Sequence, residues 1–323
     1  MIIFKQSYRT CAKFEKDNCK IEVIPSWDLK TEAKGKMTLG QIVYRKYKNN
    51  ESYEGFYCNG FYFRMKDGEN YTDMIVDGKI IHNKHSYGSY GICMLPDGTI
   101  KLDHFNKKYK YFIGGIKAMH GGVRPTWIGT DKLYYSGVPT SNSHKRQPNI
   151  AIGMNSKGEM CVVAFDGRRW FLRGCTFDEL VKFMRDIMDC QDVMILDGGG
   201  SVQLAYVSVN MEITYLNNPS EHRAVANWIY IQQKEYSYYD VRSMPTLRKG
   251  MRKNEHVKLL QAQLNNLGYT YEGKPLKVDG WFGTKTKSVL LDYQSDVRTG
   301  KVIGKFLVDG VDGQQTKAER FFV

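Results

Sequence analysis

The stretch Val193-Met194-Ile195-Leu196-Asp197-Gly198-Gly199-Gly200-Ser201-Val202-Gln203-Leu204 admits few folds. An apolar run of strand length delivers an acid to its end, three glycines follow, and a second apolar run leads the chain away. Consecutive glycines lack Cβ atoms and can take positive φ, so their N–H groups can converge into an anion-sized concavity beside Asp197 and Ser201. Such a concavity suits a phosphate ester. The same pattern fits a plain turn, in which glycine relieves strain and Asp197 accepts hydrogen bonds from the loop amides. Under either reading the flanking segments are strands.

Composition narrows the class. A chain of 323 residues suggests two domains. With 42% hydrophobic and 25% charged residues it is globular, and no apolar run reaches membrane-spanning length, so membrane insertion is not expected. A net charge of +13 predicts attraction to polyanions. Nucleic acid is the first such partner to consider, but the basic residues are spread along the chain without a helix-turn-helix, zinc-finger or RNP pattern, and a bacterial wall carrying teichoic acid phosphates is an equally good polyanion. The seven cysteines are an odd number with no C-x-x-C spacing, so free, buried thiols are expected, with a Cys11–Cys19 disulfide left open. Met1-Ile2-Ile3-Phe4 runs straight into Lys5, Gln6 and Ser7 without a secretory h-region. The expectation is synthesis in a bacterial cytoplasm without a signal peptide, and action at the cell wall after phage-type release or as a virion component.

Along the chain, Lys20 to Ile24 alternates as a strand does, and Leu39, Ile42, Val43 and Tyr47 recur at helical spacing behind Thr38 as N-cap. The aromatic run Phe56 to Phe63 is interrupted by Asn59-Gly60, the signature of a hairpin turn or a bulge. Asp77-Gly78 and Asp97-Gly98 punctuate a meander, and Lys157-Gly158 joins two strands of a hairpin. A strand is also expected over Thr126 to Ile128. His82 and His85 lack further ligands at metal spacing, so no metal site is assigned to them. His120, followed by two glycines, is a candidate to reach a ligand. Thr176 caps a helix with Phe177, Leu180, Val181, Met184, Ile187 and Met188 on one face and Glu179 in capping-box position. Strands are expected over Val202 to Val209 and in the segment Glu221 to Ile231. Beyond Gln232 the composition shifts, and Met244-Pro245 marks a linker.

The C-terminal part repeats itself. Val278-Asp279-Gly280-Trp281-Phe282-Gly283 recurs as Val308-Asp309-Gly310-Val311-Asp312-Gly313. An amphipathic segment from Val257 to Leu267, closed by Gly268, precedes the first copy. The ligand series of an EF-hand is absent, so the Asp-Gly turns read as structural. This part resembles a peptidoglycan-binding module of the small three-helix type, in which Leu267, Tyr269, Trp281, Phe282 and Tyr293 mix core with glycan-stacking positions.

Several segments upstream fall into the order of one family. Asn59-Gly60-Phe61-Tyr62-Phe63, Ala151-Ile152-Gly153 behind a basic loop, Phe165-Asp166-Gly167-Arg168, Gly174-Cys175-Thr176, Leu196 to Ser201, and Arg223-Ala224-Val225-Ala226-Asn227 together resemble the phosphodiester glycosidase family. Two departures stand out: one glycine fewer, with Tyr62 in place of Phe, in the Asn-Gly segment, and Gln147-Pro148-Asn149 where the family more often has Arg-Thr-Ala. The second departure weakens the match of Arg146.

The resemblance implies an α+β architecture: a mixed β-sheet catalytic domain with packed helices over residues 1–235, a linker at 236–246, and an all-α three-helix peptidoglycan-binding module over 247–323. The implied enzyme is a cell-wall-targeted hydrolase of endolysin type. It cleaves a sugar or polyol phosphodiester of a Gram-positive envelope and is encoded by a phage or prophage. The alternatives are a muralytic glycosidase acting on peptidoglycan and a non-catalytic wall-binding adhesin or tail component. Asp197 is the first candidate for carboxylate chemistry and Asp166 the second. Gly198, Gly199, Gly200, Ser201, Arg223 and Arg146 are expected around the phosphate, with Asn59, Asn227 and His120 as further substrate contacts. No cofactor and no metal ligand are assigned, and a requirement for calcium is left open. The partners expected are peptidoglycan and anionic wall polymer, and not nucleic acid.

Overall fold

The computed structural model describes residues 2–6, 8–15, 18–27, 34–83, 89–122, 134–135, 138–139, 145–168, 174–233, 237–240, 245–298 and 309–312. The strand expected at Thr126 to Ile128, and His85, lie outside them. The chain divides into two compact units, with the division after Tyr238.

Two antiparallel sheets build the first unit. In the larger one the strands Arg9–Phe14, Met160–Phe165, Asn149–Asn155, Cys190–Ile195 and Tyr111–Met119 lie side by side, and every described pairing is antiparallel. The second sheet has the order Ile213–Tyr215, Leu204–Val207, Gly55–Asn59, Asn227–Gln232, Lys20–Pro25. The expected turns at Asp77-Gly78, Asp97-Gly98 and Lys157-Gly158 all join antiparallel neighbours.

Period-two alternation decides which faces meet. On Met160–Phe165, the alternate residues Met160, Val162 and Ala164 belong to one core that also holds Ile21, Val23, Phe56, Cys58, Leu204 and Trp228 of the second sheet. The intervening Phe165 meets Phe183 of the helix Phe177–Asp186 edge to face at 5.7 Å. A Cβ on Gly153 in the neighbouring strand would lie 2.7 Å from the Met184 methyl of that helix, so glycine there allows close packing. The larger sheet is covered on both sides, which is why its central strands are apolar throughout. Burying one large aliphatic side chain of this kind contributes about 1.5–3 kcal/mol.

Both helices start with capping boxes: the one at Thr176 follows the sequence pattern, while at Thr38 the pattern predicts an N-cap and the structure adds Gln41 as its partner. Thr38 Oγ1 accepts from the Gln41 N–H while Gln41 Oε1 accepts from the Thr38 N–H. Thr176 and Glu179 exchange the same pair of bonds. The second helix ends at Asp186, short of Ile187 and Met188. Among the described residues all seven cysteines are buried free thiols, so the open Cys11–Cys19 disulfide is not formed.

In the second unit, the helices Glu255–Asn266 and Thr284–Arg298 enclose a core of Leu260, Leu264, Phe282, Val289, Leu290 and Tyr293. The third helix expected there falls outside the described residues. A buried glutamine braces each Asp-Gly turn. Gln261 Oε1 accepts from the Asp279 and Gly280 N–H groups at 3.0 Å each, while its amide donates to the Trp281 carbonyl at 3.1 Å. Gln294 repeats this on the Gly310 N–H at 2.8 Å and the Val311 carbonyl at 3.0 Å. The Asp-Gly turns are thus structural, as read. Trp281 stands 51% exposed with the Arg252 guanidinium 5.2 Å from its ring centre.

Candidate active site

The glycine run is the crossing from one sheet to the other. Cys190–Ile195 ends in the larger sheet, residues 196–203 traverse the gap, and Leu204–Val207 continues in the second. Antiparallel register brings other strand ends to the same place. Ala151 pairs with Ile195, so Asn149 falls beside Asp197. Leu204 pairs with Cys58, and Trp228 with Asn59, so Asn59 and Asn227 arrive from the second sheet.

Asn59 and Asn227 organise this junction. The Asn59 amide donates to the Asp197 carbonyl at 2.9 Å, and its oxygen accepts from the Gln203 N–H at 3.0 Å, so one buried side chain holds both ends of the glycine run. Asn227 Oδ1 accepts from the Phe61 N–H at 2.7 Å, and its amide donates to Asn70 at 2.8 Å. A Cβ on Gly60 would fall 1.9 Å from Asn227 Oδ1, which accounts for glycine after Asn59. The Asn59-Gly60 interruption is therefore neither a hairpin turn nor a bulge but the point where the chain leaves the sheet under Asn227. Both amides bind backbone or side chain within the protein, and the residues they place are Asp197 and Phe61-Tyr62.

The glycine amides are arranged differently from the three-amide cradle expected. The Gly199 N–H donates to the Pro148 carbonyl at 2.8 Å and the Ser201 N–H to the Gly198 carbonyl at 3.3 Å, while the Gly198 N–H favours the charged form of the Asp197 carboxyl. The loop closes as a single 3-10 turn at Gly199–Ser201, with Gly199 at φ 63°. Two of the amides from Gly198 to Ser201 are thereby bound to backbone carbonyls.

What the glycines do provide is room for cations. A Cβ on Gly199 would lie 2.7 Å from Arg168 Nη2, and one on Gly200 would lie 2.0 Å from Arg223 Nη2. Two guanidinium groups thus rest on the loop. Glu221 links them: its Oε1 accepts from Arg168 Nη1 at 3.3 Å, and its Oε2 from Arg223 Nε at 3.0 Å and Nη2 at 2.7 Å. Gln203 fixes the Arg223 backbone by donating to its carbonyl at 3.0 Å.

Asp197 lies half-buried beneath this cluster. Burial pushes its carboxyl up to about 6, opposed by the Ser201 hydroxyl, the Arg223 charge, the Gly198 N–H and the Arg168 charge. The Tyr62 hydroxyl sits close enough that burial and the Asp197 charge together raise its own proton affinity. A carboxylate with this proton affinity serves as base or nucleophile near neutral pH.

The other expected residues take different positions. Asp166 is 1% exposed, and its Oδ1 accepts from Asn217 at 3.1 Å and from the Asn218 N–H at 2.8 Å. It anchors the 217–218 turn from within the protein. Arg146 pairs with Glu179 and donates to the Gly174 carbonyl at 3.3 Å, at the start of the Phe177–Asp186 helix. Arg168, not assigned a role from the sequence, is the second arginine on the glycine loop. The signal for it was its place immediately after Asp166-Gly167 at a strand end, where it takes φ 56°. His120 does not join the site. Its Nδ1 lies 2.6 Å from Asp192 Oδ1, five residues before Asp197 on the strand, or roughly 16 Å away at the rise of a β-strand. The register of Met119 opposite Val193 imposes that separation. His82 is buried with Nδ1 2.8 Å from the Thr72 carbonyl. Among the described residues no group of three or more His, Cys, Asp or Glu side chains is placed to hold a metal ion. No helix of the described chain is long and apolar enough to cross a membrane.

Comparison with known proteins gives the family of the chain. Residues 56–232, more than half of the chain, match the family model of phosphodiester glycosidase, and residues 253–299 match that of a peptidoglycan binding domain. Among solved structures, the catalytic domain of zebrafish N-acetylglucosamine-1-phosphodiester alpha-N-acetylglucosaminidase, auto-inhibited by its pro-peptide, aligns with TM-score 0.54 and 17% identity, covering 70% of this chain and 77% of that one. A hypothetical protein from Synechocystis aligns with TM-score 0.48 and 10% identity, over 70% of this chain and 59% of that one. No curated protein sequence matches significantly. The chain belongs to the phosphodiester glycosidase family, and it is a hydrolase of that type joined to a peptidoglycan-binding domain.

Proposed function

We propose that the substrate is a sugar or polyol phosphodiester of a Gram-positive wall, such as a teichoic acid linkage. The carrying observation is the stacking of chemistry on one loop: a carboxylate poised near neutrality at Asp197, with Arg168 and Arg223 resting on the glycines that follow it. Guanidinium groups favour phosphate through paired, charge-assisted hydrogen bonds. The group released from a sugar 1-phosphodiester is a phosphomonoester with a second pKa of about 6, so it departs without a strong acid. The site must then stabilise phosphate charge and an oxocarbenium-like sugar. In this reading the two arginines hold the phosphate, Tyr62 borders the sugar side, and Asp197 activates water or attacks the anomeric carbon.

The peptidoglycan-binding domain supports action at the wall, where tethering raises the local concentration of the catalytic domain around wall polymer. The net charge of +13 favours an anionic polymer as partner. Delivery belongs to the same reading: the enzyme reaches the wall by phage-type release or as part of a virion.

The test incubates the protein with purified walls that carry or lack teichoic acid and identifies soluble products by mass spectrometry. Release of phosphorylated sugar or polyol only from teichoic-acid-bearing walls, abolished by Asp197→Asn, is the expected result. Reducing sugar from stripped walls would instead establish a muralytic glycosidase. Wall retention without any released product would establish a non-catalytic binder.

A further inference from the structure

Glu221 stands where a phosphate would stand. Its two carboxylate oxygens are divided between two guanidinium groups, Oε1 to Arg168 at 3.3 Å and Oε2 to Arg223 at 2.7 and 3.0 Å. Neither arginine is its neighbour in a helix or strand: Arg168 follows the strand Met160–Phe165, and Arg223 precedes Asn227–Gln232. The carboxylate also presses on the glycine loop, since a Cβ on Gly200 would meet Glu221 Oε1 at 2.4 Å as well as Arg223. An anion that bridges two arginines against the glycine loop takes the guanidinium contacts that the reading above gives to a substrate phosphate.

Its exposure and charge give this arrangement a consequence. The Glu221 and Arg168 side chains are each 47% exposed, against 21% for Arg223, so Glu221 can swing outward while Arg223 stays. With Asp197 ionised, the cluster of Arg168, Arg223, Glu221 and Asp197 is formally neutral. A phosphodiester adds one negative charge, whereas a phosphomonoester adds about 1.5 to 2. A displaced Glu221, still tethered beside the site, repels the second more than the first.

We propose that Glu221 is an internal ligand of the phosphate site, which yields to a monoanionic phosphodiester and discriminates against the more highly charged phosphomonoester. The inference rests on the phosphate reading above and adds its charge selectivity. It assigns Glu221 a specificity-determining part: the product of cleavage is the species it disfavours, so it speeds product release and keeps free phosphate and sugar phosphates, which are abundant in cells and lysates, from blocking the site.

Direct binding tests this without catalysis. Inorganic phosphate and dimethyl phosphate, one a monoester-like dianion and the other a monoanionic diester, are titrated by NMR into the full chain at pH 7.5. The proteins compared are wild type, Glu221→Gln, Glu221→Ala and the double variant Arg168→Met/Arg223→Met, each verified by its melting transition. Removing the Glu221 charge is expected to tighten inorganic phosphate about tenfold and dimethyl phosphate about threefold or less, in both single variants. An unchanged ratio of the two affinities in Glu221→Gln and Glu221→Ala, with binding still abolished in the double arginine variant, overturns the role of Glu221 alone. Phosphate binding that survives in the double arginine variant overturns the phosphate site itself.

Discussion

Asp197→Asn separates stability from activity in a way that only the proposed site predicts. The Asp197 carboxyl is raised from 3.8 to about 6 in the folded protein. The folded state therefore binds the proton more tightly than the unfolded chain, where an aspartate titrates near 3.9. The resulting stabilisation is fully present below about pH 4 and is lost as pH rises through about 6. A difference of about two pKa units, at 1.36 kcal/mol each, means that ionised Asp197 costs the fold about 3 kcal/mol at pH 8. Asparagine is neutral, has nearly the same shape, and keeps an oxygen to accept from the Gly198 N–H. The variant should thus be about 2–3 kcal/mol more stable than wild type at pH 8, raising the melting point of the catalytic domain by roughly 5–10 °C. The gain should vanish by pH 4, while hydrolysis is lost at every pH. Melting curves at pH 4, 6 and 8, read on the catalytic-domain transition, are the assay. Equal or lower stability of Asp197→Asn at pH 8, or a gain independent of pH, would show that the carboxylate is not held at an energetic cost, and the argument from burial would fail.

The same carboxylate gives the pH–rate profile an acidic limb near 6, measurable with a soluble diester substrate, because activity follows the ionised form. Gly200→Ala places a Cβ 2.0 Å from Arg223 Nη2; a flexible side chain can retreat, so the fold should melt within a few degrees of wild type while turnover drops about 100-fold from a misplaced guanidinium. Asn59→Ala removes the brace between the Asp197 carbonyl and the Gln203 N–H and leaves both buried, costing about 2–4 kcal/mol by chemical denaturation. Trp281→Ala should weaken retention on purified walls in a sedimentation assay and leave hydrolysis of a soluble diester unchanged.

Much of the first unit could be read from local pattern, because its signals are short-range. The N-cap at Thr38, the capping box at Thr176 and the turns at Asp77-Gly78, Asp97-Gly98 and Lys157-Gly158 depend on residues within a few positions of one another, and they stand where the spacing placed them. The site was legible in its centre and obscure at its rim. Asp197 and Arg223 could be named because their segments fall in the order of a family. Arg168 and Glu221 could not, since they meet only through the register of strands more than fifty residues apart. Three glycines in a row advertise free amides, yet the Pro148 carbonyl takes the Gly199 N–H, and the missing side chains matter for the guanidinium groups they admit. His120 illustrates the opposite error: proximity in sequence to glycines and strand ends says nothing about which end of a strand a residue adjoins.

The paired glutamine braces of the second unit carry a lesson about design. Gln261 and Gln294 grip the backbone of their turns at Trp281 and Val311 through equivalent hydrogen bonds. An aromatic ring on one copy and a small aliphatic group on the other sit on the same backbone brace, so a single scaffold carries two different side chains at equivalent positions.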